Sequence, residues 1–208
     1  MAATSVSVLD YAGATKTFSE VQDPNNSSYL CPKVIVDDSL RLKATFSCGG
    51  SSYAPYATPT DVITIIGSAT KTVRLKKVRL TATSTSGGTM PVLLIKRSAD
   101  NTGGTRATQA AYVAKHDSSL SAQSAVVYAY SVIPDSLGAS AGYVGAQRLV
   151  LGTAAAGGRQ AEWIWGEKND MCPVLRGVTE VLSVNLGGNA LTSGGVLDWE
   201  IVWEEDAS

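Results

Sequence analysis

The end of the chain carries the clearest pattern of apolar and polar positions. Between Val196 and Glu204, Leu197, Trp199, Ile201 and Trp203 alternate with Asp198, Glu200, Val202 and Glu204. Successive side chains of a strand point to opposite faces, so this period of two predicts a strand with one buried face. In Glu180–Leu186, Leu182, Val184 and Leu186 share one face, and Val181, Ser183 and Asn185 occupy the other. The alternation recurs in Glu162-Trp163-Ile164-Trp165. Burying one Trp removes ~150–250 Å² from water. At ~25 cal/mol per Å² this is roughly 4–6 kcal/mol of gross stabilisation. The four Trp residues are therefore expected to anchor the core or a seam between subunits, with the core favoured for Trp199 and Trp203.

Further strands are expected at Asp61–Ile66, Thr72–Ser84, Val92–Ile95, Ser124–Val132 and Arg148–Leu151. Val92–Ile95 is apolar on both faces, which suits a central position. In Thr72–Ser84 the apolar residues change parity: Val73 and Leu75 are odd, while Val78, Leu80 and Ala82 are even. A one-residue shift reverses every side chain, so a β-bulge or bend is predicted near Lys76–Lys77. Glycine pairs at 49–50, 87–88, 103–104, 157–158, 187–188 and 194–195 punctuate these runs and are read as turns. About eight short strands with glycine-rich turns predict an all-β, jelly-roll-like antiparallel β-sandwich. Thr105–Lys115 is the single candidate helix; its alanines favour one, and its threonines and the nearby glycines oppose it.

The first residues differ. Ser5–Leu9, Leu30–Val36 and Arg41–Ser47 are possible strands, Asp23–Asn26 is a turn, and Ser47–Pro59 resembles a linker. Residues 1–56 are read as an N-terminal β arm or small subdomain, too poor in large apolar residues to fold alone. Residues 57–208 form the sandwich.

Charge narrows the function classes. Only 17% of the 208 residues are charged, and the formal net charge is −1. Phosphate neutralisation needs clustered Lys and Arg. The basic run Lys71–Arg79 instead alternates with apolar residues, as on the outer face of a strand, so no nucleic-acid partner is expected. No apolar run approaches the roughly 18 residues of a membrane-crossing helix, and the N-terminus lacks the pattern of a secretory signal. Cys31, Cys48 and Cys172 form no CxxC and are odd in number. Three buried thiols are expected rather than a disulfide framework or a zinc site.

The search for chemistry yields little. His116 is the single histidine; its neighbours Asp117, Ser118 and Ser119 cannot form a triad with it, and no GxSxG elbow occurs. Glu167–Asp170 could offer oxygens to Ca²⁺ but reads as a solvated loop. Asp198 and Glu200 share one strand face opposite the Trp residues, which does not suit a glycosidase cleft. The sequons within Asn25–Ser28 mean little without a secretory signal. No catalytic, metal-binding or cofactor-binding residue is therefore assigned, and no enzymatic activity is expected. A glycan site is weighed on the tyrosines, Tyr29, Tyr53, Tyr56, Tyr112, Tyr128, Tyr130 and Tyr143, of which Tyr53 and Tyr56 are the best pair. Aromatic residues are only 7% of the chain, and tyrosines also favour protein interfaces, which is the preferred reading.

Several segments resemble small structural proteins of tailed bacteriophages, both head decoration and tail accessory proteins. They are Thr58–Leu75, Leu94–Thr105, Lys115–Ser118 and Gly194–Glu205, together with Ala14–Thr17 and Asp23–Asn25. The resemblance implies a virion component without catalytic residues, made in the host cytoplasm. Its length and the lack of a shaft repeat favour a capsid decoration (cement) protein on the outside of the head. Its partners would be the major capsid protein and copies of itself, commonly as a homotrimer. A tail fibre or adaptor, or a carbohydrate-binding receptor module, is the alternative.

Overall fold

The structure is a computed structural model that describes residues 5–9, 15–19, 43–56, 58–153, 157–166, 171–191 and 194–207. The chain forms two compact units, residues 1–42 and 43–208. In the first, β1 (Ser5–Leu9) and β2 (Thr15–Ser19) pair antiparallel, from Ser5 opposite Ser19 to Leu9 opposite Thr15. The expected strand Leu30–Val36, the Asp23–Asn26 turn, the sequons, Tyr29, Cys31 and the Glu167–Asp170 loop lie outside the described residues.

The second unit is all-β. Its strands are β3 (Ala44–Tyr53), β4 (Asp61–Ile66), β5 (Lys71–Thr83), β6 (Gly88–Arg97), β7 (Thr105–Thr108), β8 (Val113–Lys115), β9 (Val126–Val132), β10 (Ser140–Leu151), β11 (Ala161–Ile164), β12 (Val174–Leu175), β13 (Val181–Asn185) and β14 (Val196–Ala207). They build two antiparallel sheets. One runs β10-β6-β13-β4-β9-β7; the other runs β11-β5-β14-β3-β8, with β12 also paired to β5. Inward side chains of both sheets form one β-sandwich-like core. Leu197, Trp199, Ile201 and Trp203 lie in it as their alternation requires, against residues such as Val92, Leu94, Leu182 and Leu149. Trp203 sits opposite Phe46 across the β14–β3 pair, and their rings stack 5.7 Å apart.

The parity change in β5 is a bulge. Val202 faces Lys77 while Trp203 faces Leu75, so Lys76 is the extra residue. Its carbonyl accepts the Trp165 N–H at 2.8 Å. On the outer face of this sheet, Lys77 meets Glu200 at 3.0 Å and Glu162 at 3.6 Å, Arg74 meets Asp206 at 2.5 Å, and Arg79 meets Glu200 at 3.3 Å. From Arg74 to Arg79 the cations of β5 are thus paired with carboxylates of neighbouring strands. Each such exposed pair contributes little alone, at most about 1 kcal/mol.

Three expectations need correction. Thr105–Lys115 is not a helix: it is β7, a 3₁₀ turn at Ala110–Tyr112, and β8. The segment crosses from one sheet to the other, and a run of Thr and Ala suits such a crossing as well as it suits a helix. Gly49 and Gly50 lie inside β3 rather than in a linker. That strand, with Phe46 and Cys48 in the core, belongs to the second unit, so the unit boundary precedes it. The face of β13 away from the core is covered as well: Val181, Ser183 and Asn185 are all buried. Cys48 is buried, but Cys172 is only half-buried.

A polar layer explains the covered face of β13. Asp61, fully buried, accepts both arms of Arg97 at 2.6 and 2.7 Å, Asn101 at 2.9 Å and Asn185 at 2.7 Å. Arg97 also donates to the Gly138 carbonyl at 2.7 Å, and the Gly138 N–H donates to Asn101 at 2.9 Å. The loops after β6 and before β10 are thereby fixed over the sheet. A buried ion pair persists only when its remaining hydrogen-bonding capacity is met, as here.

Candidate functional site

The two sides of the sandwich are finished differently. On one side, the Gln147 amide on β10 donates to the Glu162 carbonyl at 2.6 Å and accepts its N–H at 3.1 Å. The side chain thus replaces a strand neighbour and joins β10 to β11 of the other sheet. Nearby, the Gly152 N–H donates to the Ala82 carbonyl, and the Ser84 N–H to the Gly152 carbonyl, both at 2.9 Å. On the other side, the crossing segment Thr105–Lys115 leaves a cleft of about 820 Å³ beside it.

The cleft begins with an irregularity in β3. Trp199 pairs with Gly50, but Leu197 pairs with Tyr53, so Ser51 and Ser52 together oppose Asp198. This bulge holds Ser52 at φ 55°, the one positive φ outside glycine among the described residues. The Ser52 N–H is secured by the Asp198 carboxylate at 2.8 Å. Beyond the bulge Tyr53 turns inward; its hydroxyl donates to the Tyr130 carbonyl, and the Val62 carbonyl lies 3.3 Å away. Burial pushes the Tyr53 hydroxyl pKa up, so it stays a donor.

The glycine pair sets the floor. A Cβ on Gly49 would stand 2.7 Å from the Trp199 carbonyl oxygen, and one on Gly50 would stand 2.8 Å from the Trp199 indole nitrogen. Only glycine admits Trp199 this closely, and the backbone is left bare as a result. Strand β8 covers Phe46–Cys48 alone, so it leaves the edge of β3 from Gly49 onward uncovered. Ser47, Ser51 and Ser131 supply hydroxyls around the cleft, and Gln109 supplies an amide. Arg79 and Glu200, paired at 3.3 Å, form one wall. Tyr112 stands on the lining with 66% of its surface exposed. Cys48 lies at the base, and burial pushes its thiol pKa up to about 11, so it is inert near neutrality.

The structure separates most of the residues weighed from sequence. Tyr53 faces inward at the cleft, while Tyr56 is exposed and does not line it, so they form no common platform. Tyr128 and Tyr130 instead receive Arg106, whose guanidinium lies 4.0 Å from the Tyr128 ring centre and bonds the Tyr130 hydroxyl at 3.0 Å. Tyr143 is exposed on β10, away from the cleft lining. His116 is exposed, and the neighbouring Asp117 carboxylate is engaged by the Ser119 N–H and hydroxyl at 2.9 and 2.7 Å. Asp198 holds the β3 bulge, and Glu200 bridges Lys77 and Arg79. Among the described residues, no three His, Cys, Asp or Glu side chains converge as metal ligands, and no helix is long and apolar enough to cross a membrane. The cleft residues Arg79, Gln109 and Ser131 were not legible as a set. The usable signal was the Gly-Gly-Ser-Ser run directly after an alternating strand, which marks a bulge as readily as a turn.

Comparison of the chain with family models, curated proteins and solved structures returns no match.

Proposed function

We propose that the chain is a structural protein of a tailed-bacteriophage particle, a decoration protein that binds the outside of the head and strengthens it. The observation that carries this reading is strand order. Setting aside the inserted β7–β9 and the short β12, the sheets reduce to β3-β14-β5-β11 and β4-β13-β6-β10. This order supports reading the body as an eight-stranded jelly roll, in which consecutive strands change sheet except at the middle pair, here β6 and β10. Viral capsid domains are among the users of that architecture. Fold alone does not assign function; the phage resemblance of Thr58–Leu75, Leu94–Thr105 and Gly194–Glu205 supplies the rest, and these segments include β4, the start of β5 and most of β14.

The surface is consistent with packing against copies and a capsid. Tyr143, Ile164, Met171 and Val178 are exposed apolar side chains, and the charges of the β5 face are paired within the chain. Such a face can be covered without stranding an unpaired ion. The partners are the major capsid protein and two further copies in a homotrimer, with no nucleic acid, no membrane and no enzymatic turnover. Heating particles with and without the protein tests the role. Heads lacking it should release DNA at lower temperature, and restoring the purified protein should reverse the loss. Equal release temperatures would contradict a strengthening role.

A further inference from the structure

We propose that the cleft beside β3 is a binding site for a neutral saccharide. The inference does not depend on the virion reading, because a sugar site can exist on or off a particle. Its first support is the backbone. Ser52 is held in a conformation unfavourable for a side-chain-bearing residue, and such strain concentrates at functional sites. Here it lies directly beside the bare floor of two glycines, with the exposed Tyr112 on the same lining.

The second support is the chemistry of the lining. A sugar ring offers C–H groups to an aromatic face and hydroxyls to mixed donors and acceptors. Tyr112 supplies an exposed aromatic ring. Ser51 and Ser131 can donate and accept, and the Arg79–Glu200 pair places a donor beside an acceptor. Gln109 spends one side-chain N–H on the Ala107 carbonyl at 3.0 Å, which leaves the other N–H as a donor and the oxygen as an acceptor.

Charge excludes the competing ligands. Arg79 is the single cation of the lining and is already paired with Glu200, so phosphate or sulfate gains no free positive charge. Glu200 is also the single carboxylate of the lining. Cleavage of a glycosidic bond needs two carboxyl groups about 5–10 Å apart, so the sugar is bound and released intact.

A glycan array probed with the purified full-length chain tests this, followed by NMR titration with the neutral oligosaccharides that bind. The Trp199 indole N–H signal should shift on titration, because that group borders Gly50 at the cleft. The Trp203 indole, buried and bonded to Glu205 at 3.1 Å, should stay fixed. Tyr112→Ala, on an exposed side chain, should weaken binding at least tenfold, and Tyr143→Ala should leave it unchanged. No binding at millimolar sugar would overturn the proposal, as would undiminished binding in Tyr112→Ala or a preference for anionic glycans. A shift of Trp199 with extended peptides and none with sugars would overturn it too, by assigning the β3 edge to a protein strand. A negative result leaves the heat-release test of the head-binding role unaffected.

Discussion

Asp61 concentrates the electrostatics of the fold in one side chain. Burial alone would raise its pKa, but the hydrogen bonds from Arg97, Asn185 and Asn101, with the Arg97 charge, outweigh that and hold it below the usual carboxylate range. A carboxylate with a depressed folded pKa contributes stability that is present above its unfolded value of ~3.9. That contribution is lost as pH falls through the folded pKa. The urea midpoint should therefore drop as pH is lowered from about 5 towards 2, and Asp61→Asn should flatten this dependence. The same substitution strands the Arg97 charge and should cost about 3–5 kcal/mol at neutral pH, measured by urea unfolding. A loss below about 1 kcal/mol would mean that the layer contributes no more than an exposed pair. Two smaller tests share this scale. Gly50→Ala should destabilise by about 1–3 kcal/mol, because its Cβ meets the Trp199 ring. Peptide mapping after iodoacetamide treatment at pH 8 should find Cys48 unmodified in the native protein and alkylated in urea, since its thiol is neutral at that pH.

At the scale of elements, alternation was a sound guide wherever one face of a strand meets the core. It located β14 and required the bulge at Lys76, because Val73 and Leu75 cannot share a face with Val78 without an extra residue. It was a poor guide where a segment serves two sheets or bends within one. Thr105–Lys115 has no apolar face because it leaves one sheet for the other. The Gly49–Gly50 pair looks like a turn because closeness to Trp199, not a change of direction, demands glycine there. The cleft was hidden for the same reason: its lining comes from β3, β5, β7, β9 and β14 and the 3₁₀ turn, and no local pattern joins them. The Gln147 contact across the opposite side was equally invisible. Gln147→Ala removes two hydrogen bonds to the Glu162 backbone. It should cost about 1–3 kcal/mol, with hydrogen exchange accelerating in β11 more than in β14.

For the whole molecule, the sequence supported an all-β chain of two antiparallel sheets, and that is the architecture observed. The buried polar layer over β13 was beyond it, since Asp61, Arg97 and Asn185 are far apart in the chain and each alone reads as a surface residue. The same holds for the side-to-side asymmetry, with one side of the sandwich joined by β10 and β11 and the other left with a cleft. In the proposed assembly, the exposed Tyr143 and Ile164 would be covered by copies of the chain or by capsid. Imaging tests this most directly. Heads should be incubated with the purified protein and reconstructed by electron cryomicroscopy. The account predicts added density at regular positions on the outer head surface, in clusters of three, each accommodating the two-sheet body. Density confined to the tail or its tip, or bare heads at saturating protein, would contradict it.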